Sequence, residues 1–331
     1  MVIMLDDEGV MPERWIGYAS YLQCVKGSKI ELMRQFPDPE SVLNCTTNDE
    51  LSLWREAINE ASLPNARTAL ERAWLLSLPA TAYPAPLADC ADAPACLFGR
   101  GHMSCLSSPA IAIVGSRKPS LDGLKLAEHF AFELAKAGFV IVSGLARGID
   151  TAVHRGALMA GGKTIAVMAT GIDRIYPAEN QNLSSQIISS GALVSEFLPG
   201  CAPKRHHFRR RNRTISGLSV ATVVIEAGCP SGTLITATAA AEQGRDVYAL
   251  PWSINHRQGE GCLKLLLEGA LLATCPKDVV DGSVWQHPVA ETVTVTSAQS
   301  DSGLTVTDQE KGGADKASVR SNGGDKLKML A

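Results

Sequence analysis

The chain reads as an α/β protein built on an open, mostly parallel, doubly wound sheet. A small helical domain precedes the sheet and a tail follows it. Three observations predict this. Six short apolar runs rich in β-branched residues fall between residues 110 and 250, as strands buried on both faces should. Helical segments alternate with them, which is the pattern of repeated β-α units. No apolar run reaches the roughly 18 residues of a membrane span, so no membrane partner is expected.

Residues 1–75 are expected to be helical. Trp15, Tyr18, Leu22 and Val25 recur at three- to four-residue steps, and Leu51, Trp54, Ala57 and Ile58 repeat the pattern. Residues 76–109 hold Pro79, Pro84, Pro86, Pro94 and Pro109. Closely spaced prolines exclude a long helix, so this stretch is expected to be an extended linker lying over a neighbouring domain.

Residues 110–282 carry the strands. They read Ala110-Ile111-Ala112-Ile113-Val114, Phe139-Val140-Ile141-Val142, Thr164-Ile165-Ala166-Val167-Met168, Ala192-Leu193-Val194, Ala221-Thr222-Val223-Val224-Ile225 and Asp246-Val247-Tyr248-Ala249-Leu250. Leu121, Leu124, Ala127, Phe130, Ala131 and Leu134 form a helical face between the first two. Residues 283–331 have no aromatic residue after Trp285 and are dense in Ser, Thr, Gly, Asp and Lys, so disorder is expected there.

Apolar content of 45% and charged content of 20% describe an ordinary soluble globular protein. Asp6, Asp7 and Glu8 stand where a secretory leader would carry cations and then an apolar run, so the expected compartment is the cytoplasm. The nine cysteines have no Cys-x-x-Cys pair and form no Cys/His ladder of zinc type. They are expected to be reduced thiols without a metal.

Charge is distributed unevenly. The formal net charge is -3, yet six of the ten residues from Lys204 to Arg213 are cationic, and no Asp or Glu occurs from Phe197 through Ile225. Such runs are often only solvated faces. Here Phe208 interrupts the cations and a strand follows at once. A compact positive spot on a slightly acidic molecule points to a polyanion held at one place. An aromatic ring among cations suits stacking on an unpaired base.

Ligands of open α/β sheets bind at the carboxyl ends of the strands. Gly115-Ser116-Arg117 follows the first strand: a turn-forming glycine, a hydroxyl and a guanidinium, ahead of a helix whose first amides point the same way. Ser143-Gly144-Leu145-Ala146-Arg147-Gly148-Ile149-Asp150 follows the second. Glu226-Ala227-Gly228 and then Ser231-Gly232-Thr233 follow the fifth. The glycines do not form the dinucleotide fingerprint, so no nucleotide cofactor is expected. Asp150 reads as a helix N-cap and His154 as a helix-face residue. Ser143 lacks the elbow of a hydrolase nucleophile. His206 and His207 read as polar surface.

Taken in order, these motifs resemble the DNA-processing protein A (DprA/Smf) family. The resemblance rests on Gly115-Ser116-Arg117, on Ser143 to Asp150 with His154, and on Phe208-x-x-Arg211-Asn212-Arg213 through Gly217-Leu218-Ser219. Glu226-Ala227, Ser231-Gly232-Thr233-Leu234-Ile235-Thr236-Ala237 and Glu242-Gln243-Gly244-Arg245 add to it, with Tyr83-Pro84-x-x-Leu87 and Leu97-Phe98-x-x-Gly101 upstream. It implies an extended Rossmann-like domain that binds single-stranded DNA, forms a homodimer and loads the RecA recombinase onto incoming DNA in natural transformation. It further implies that Gly115, Ser116 and Arg117 meet backbone phosphate, and that Arg205 and Phe208 clamp and stack. Arg211, Asn212 and Arg213 would line the strand's path, with Ser231, Gly232 and Thr233 beside it. The chain departs from the family pattern at Arg209, where proline is common, and at Pro251-Trp252, where Pro-Gly is common. Trp252 would either crowd or extend the rim. The tail also lacks the apolar periodicity of the winged helix that many members carry.

Two other readings compete with a non-enzymatic binding protein. One is an enzyme related to nucleotide phosphoribohydrolases, which have a Pro-Gly-Gly-x-Gly-Thr-x-x-Glu pattern. Here Cys229-Pro230-Ser231 precedes Gly232-Thr233, and position 236 is Thr, not Glu. The other is a DprA-like protein of a mobile element or phage-defence locus.

Overall fold

The computed structural model describes residues 2–4, 10–24, 29–45, 51–60, 70–78 and 80–282. The expectations for Val25, Pro79 and the tail 283–331 lie outside the described residues.

The amino-terminal part contributes strand β1 (Val2–Met4) and helices α1 (Pro12–Cys24), α2 (Lys29–Gln35), α3 (Pro39–Asn44) and α4 (Ser52–Glu60). Their core centres on Trp54, which is fully buried. Its ring lies 5.0 Å from Tyr18, 4.9 Å from Tyr21 and 6.0 Å from Phe36. The Tyr18 hydroxyl donates to the Phe36 carbonyl at 2.7 Å, which satisfies the one polar atom this ring would bury. Asp38 caps α3 by accepting the Ser41 N–H at 2.7 Å. This aromatic cluster is continuous with Met168, Ile172, Leu183 and Leu193 of the sheet region, so the helices share a core with the sheet.

The strands that follow are β2 (Ala73–Ser77), β3 (Cys96–Gly101), β4 (Ala110–Val114), β5 (Val140–Ser143), β6 (Thr164–Met168) and β7 (Ala192–Ser195), then β8 (Ala221–Val224), β9 (Asp246–Ala249) and β10 (Leu271–Leu272). They join in one sheet of order β1-β2-β3-β7-β6-β5-β4-β8-β9-β10. Pairing is parallel from β7 through β10 and antiparallel from β1 through β3 onto β7. The mostly parallel, doubly wound α/β sheet is therefore present. The six runs read from sequence are its strands, each ending within one residue of the expected place.

The sheet is wider than residues 110–282. β3 runs through the stretch expected to be a linker, and β2 begins inside the expected helical domain. Alternation of Trp74, Leu76 and Leu97 against Leu75, Cys96 and Phe98 buries both faces, and this burial outweighs the disfavour of the flanking prolines. Tyr83 anchors the proline-rich loop by donating from its hydroxyl to the Pro94 carbonyl at 2.7 Å.

Helices α5 (Leu121–Lys136), α6 (Ile149–Met159), α7 (Gln181–Ser190), α8 (Arg205–Gly217), α9 (Gly232–Glu242), α10 (Glu260–Leu267) and α11 (Pro276–Gly282) cover the two faces. From β4 the chain winds outward through β5, β6 and β7, then returns to place β8 on the other side of β4. The order in which strands are added thus reverses between β4 and β8. A crevice opens at the carboxyl ends of strands at such a point. None of the described helices is long and apolar enough to cross a membrane.

Candidate nucleic-acid interface

The register of β4 and β8 brings two loops together. Val114 pairs with Val224, the Ile225 N–H donates to the Val114 carbonyl at 3.1 Å, and the Ser116 N–H donates to the Glu226 carbonyl at 2.8 Å. Gly115 is required because a Cβ there would lie 2.6 Å from Ile149 Cγ1. Glu226 is fully buried. Its carboxylate accepts the Ser120 N–H at 3.0 and 3.2 Å and the Ser120 hydroxyl at 2.5 Å. Ser120 in turn caps α5 by accepting the Gly123 N–H at 2.9 Å. The 115–120 loop is therefore tied at both ends, which holds Ser116 and the exposed Arg117 toward the crevice.

Helix α8 supplies the facing wall. Its first turn has no acidic residue and Lys204 stands at the N-cap, so cations lie at the positive end of the helix dipole. That placement disfavours the helix, and it concentrates positive potential at one spot. The periodicity of α8 divides the cations. His207, Arg211, Thr214 and Ile215 face inward and are buried. Arg205, Phe208, Arg209 and Asn212 face the crevice. Arg210 and Arg213 face sideways: Arg210 pairs with buried Glu196 at 2.8 Å, and Arg213 pairs with Asp92 and, at 2.5 Å, with Glu242.

The resulting cleft has a volume of about 620 Å³. Arg117, Arg205, Arg209 and Arg211 line it against one carboxylate, Asp150. Arg117, Arg205 and Arg209 form no ion pair with a carboxylate among the described residues. The Arg117 guanidinium lies 4.8 Å from the centre of the half-buried Phe208 ring, a cation–π contact. Ser231, Gly232 and Thr233 form the rim opposite. Ser231 caps α9 through the Thr233 N–H at 3.1 Å, and Asn212 reaches across to donate to the Gly232 carbonyl at 3.2 Å.

Arg211 differs from its neighbours. It is 4% exposed and its Nη1 lies 3.7 Å from Asp150 Oδ2. Burial pushes the Asp150 carboxyl above and the Arg211 guanidinium below its ordinary range, and the partner charge pulls each of them back. Gly144 is packed against this pair, with no room for a Cβ beside Arg211 Nη1. The next residue, Leu145, has a left-handed backbone with φ of 57°, a conformation that costs a β-carbon-bearing residue roughly 1 kcal/mol or more. His154 Nε2 accepts the Leu145 N–H at 3.3 Å, and Asn180 Nδ2 donates to the Leu145 carbonyl at 2.9 Å. His154 Nδ1 meets the Thr164 hydroxyl at 2.7 Å. Burial, with Arg211 nearby, pushes the His154 imidazole down to about 3, so the ring is neutral.

Nine of the eleven expected contact residues thus line one cleft, while Gly115 lies beneath it and Arg213 lies outside it. Asp150 is not an N-cap, because Gly148 precedes the helix and Asp150 is buried against Arg211. His154 lies on the helix as expected, on its fully buried face, where it supports Leu145. His207 is buried too, stacked on Phe197 at 4.0 Å. Trp252 does not line the cleft. Its indole N–H donates to the Ile225 carbonyl at 2.7 Å and its ring stacks on His256 at 4.3 Å. Arg209, where the family commonly has proline, adds a guanidinium to the wall.

The family model of the DNA recombination-mediator protein A matches residues 74–283. DNA processing protein DprA of Streptococcus pneumoniae is 46% identical over 198 residues, covering 60% of this chain and 70% of that protein. Protein Smf of Escherichia coli is 42% identical over 200 residues, covering 60% of this chain and 54% of that protein, so the match spans about half of it. The X-ray structure of DprA from S. pneumoniae aligns with a TM-score of 0.66 at 34% identity, covering 86% of this chain and 97% of that one. A structure of DNA processing protein A from Helicobacter pylori, concerned with its single-stranded DNA binding mode, aligns with a TM-score of 0.56 at 30% identity, covering 60% and 91%. The chain belongs to the DNA recombination-mediator protein A family.

Proposed function

We propose that this member of the DNA recombination-mediator protein A family binds single-stranded DNA in the β4–β8 cleft, without catalysing a reaction on it. The observation that carries the reading is the pairing of three arginines, without a carboxylate partner among the described residues, with the Phe208 ring in one open crevice. Guanidinium groups suit phosphate in a forked geometry. A ring offers every unpaired base the same π-face, so binding is tolerant of sequence.

In this reading Ser116 and Arg117 hold backbone phosphate, Gly115 lets their loop turn, and Phe208 stacks on a base. Arg205, Arg209 and Asn212 flank the path, and Ser231, Gly232 and Thr233 offer hydroxyls and amides from the opposite rim. Arg211, paired with Asp150, supports this wall from the cleft floor and Arg213 braces α8 from the side. Residues 110–282 carry the binding surface, and the described helices within 1–75 pack on the β6–β7 side of the sheet. Asp150 is engaged by Arg211 and Glu226 by Ser120, so neither is free to serve as a hydrolytic base, which speaks for a binding protein over a phosphoribohydrolase. The wider proposal is a cytoplasmic homodimer that protects incoming single strands and loads RecA onto them during transformation. It draws on family membership and on the DNA-processing names of the relatives.

The test is a fluorescence anisotropy titration of labelled dT oligonucleotide and of duplex at two salt concentrations. Tight binding of the single strand, with a log–log salt slope near -0.7 for each phosphate held, is expected. Equal binding of duplex, or turnover of a nucleoside monophosphate assayed in parallel, would overturn the reading.

A further inference from the structure

We infer that Tyr176 is a second base-contacting residue, so that the cleft engages two successive bases on two differently tilted rings. The inference rests on the single-strand reading above and adds to it the local shape of the bound strand.

Tyr176 is 47% exposed, and among the described residues it is the one aromatic ring in the set of exposed large apolar side chains. Its ring centre lies 6.0 Å from that of Phe208, with the planes at 65°. Phe208 lines the cleft and Tyr176 stands just outside that lining, so the two rings form a corner beside it. No hydrogen bond engages the Tyr176 hydroxyl among the described residues, so both its accessible face and its polar tip are available to a ligand.

The exposure is not that of a loose loop. Thr170 donates to the Arg174 carbonyl at 2.6 Å, and the Gly171 N–H donates to the Cys201 carbonyl at 3.0 Å. Asp173 accepts the Gly200 N–H at 2.8 Å. Glu179 pairs with Arg147 at 2.7 Å, and Asn180 holds the Leu145 carbonyl at 2.9 Å. Loop 170–180 is pinned on both sides of Tyr176, and through Leu145 and Gly144 it is tied to the Arg211 anchor of α8. The ring is held out rather than left out. The edge-to-face contact with Phe208 leaves Tyr176 47% exposed, so the pairing of the two rings does not use up its surface.

The geometry has a consequence for the ligand. Bases in a stacked strand lie parallel and about 3.4 Å apart. Bases placed on rings 6.0 Å apart and tilted by 65° cannot stay stacked on each other. The strand must open at this step, which a dA tract resists more than a dT tract because purines stack more strongly. Tyr176 is thereby a source of preference for pyrimidine runs.

The experiment uses the full chain with labelled dT and dA oligonucleotides, and with a dT oligonucleotide carrying 5-iodouracil for photocrosslinking. Tyr176→Phe is expected to bind as the wild type does. Tyr176→Ala is expected to bind dT about five- to tenfold more weakly with an unchanged salt slope, and to lose part of the preference for dT over dA. Irradiated wild-type complexes are expected to yield a crosslinked peptide containing Tyr176. Wild-type affinity in Tyr176→Ala overturns the inference. So does a weakened Tyr176→Ala alongside wild-type crosslinks that map only to Phe208, which would make Tyr176 a buttress. A wild-type protein that binds neither oligonucleotide refutes the parent reading instead, and this inference falls with it.

Discussion

Arg211 and Asp150 form a buried ion pair in the floor of the cleft, with Nη1 and Oδ2 3.7 Å apart and side-chain exposures of 4% and 9%. Arg211 thus belongs to the scaffold that aims the site. Three of the expected contact residues, Arg117, Arg211 and Arg213, carry the same guanidinium yet have three different environments, and each yields a different expectation.

Arg211→Ala leaves the Asp150 carboxyl buried without its partner. Loss of about 3–5 kcal/mol of stability is expected, read as a fall in the urea midpoint. Replacing both residues by apolar side chains of similar volume should recover much of it. Wild-type stability in Arg211→Ala, together with loss of DNA binding, would place this side chain on the ligand after all.

Arg117 is exposed and forms no ion pair among the described residues, its contact with Phe208 being a surface cation–π one, so Arg117→Ala should leave the unfolding midpoint nearly unchanged. Single-strand affinity should fall, and the salt slope should shrink by about 0.7, the share of the single phosphate that this guanidinium neutralises. Phe208→Ala should lower affinity by about 1–3 kcal/mol at an unchanged slope, because stacking releases no counterion. Anisotropy titrations of both variants across a salt series distinguish the two roles.

Arg213 is held by Asp92 and Glu242 outside the cleft. Arg213→Ala is expected to leave the salt slope of DNA binding unchanged and to cost about 1 kcal/mol or less in stability, the range of partly exposed ion pairs. A slope reduced as in Arg117→Ala would show that Arg213 turns to the strand when DNA is bound.

His154 links the site to pH. The unfolded chain takes up a proton on this imidazole below its ordinary value of 6.5, whereas burial keeps the folded ring neutral down to about 3. The unfolded state therefore binds more protons in that window, and stability falls as the pH drops through it by about 1.4 kcal/mol per unit. His154→Gln removes this proton while retaining an acceptor and a donor. Urea unfolding between about pH 6 and about pH 4.5 should show a shallower loss in the variant. Parallel curves would mean that His154 is protonated in the folded protein.

Much of the central sheet was legible. Runs such as Ala110–Val114 and Thr164–Met168 are apolar throughout because both faces are covered, and their ends are marked by glycine and serine. β2 and β3 were harder. Ala73–Ser77 follows directly on a helix-patterned zone, and Cys96–Gly101 lies among prolines. Local signals there favour a linker, and only the neighbouring strands of the sheet make extended pairing favourable. Asp150 was misread for a similar reason. Its position near a helix start is that of a cap, and nothing local in sequence indicates that Arg211, far along the chain, occupies the space beside it.

By itself the sequence determined the alternation of strands and helices, the turn glycine at Gly115, and a dense block of cations on an acidic chain. Those features are local: they depend on residue type and on spacing along the backbone. Only the tertiary structure decided what each cation does. A helix turns its residues by about 100° per step, so neighbouring arginines point in different directions. Which sector of α8 meets the sheet, which meets Asp92 and Glu242, and which opens on the crevice is set by packing against β6 and α9. That packing places Arg205 and Arg209 in the cleft, Arg210 and Arg213 in lateral pairs, and Arg211 in the core.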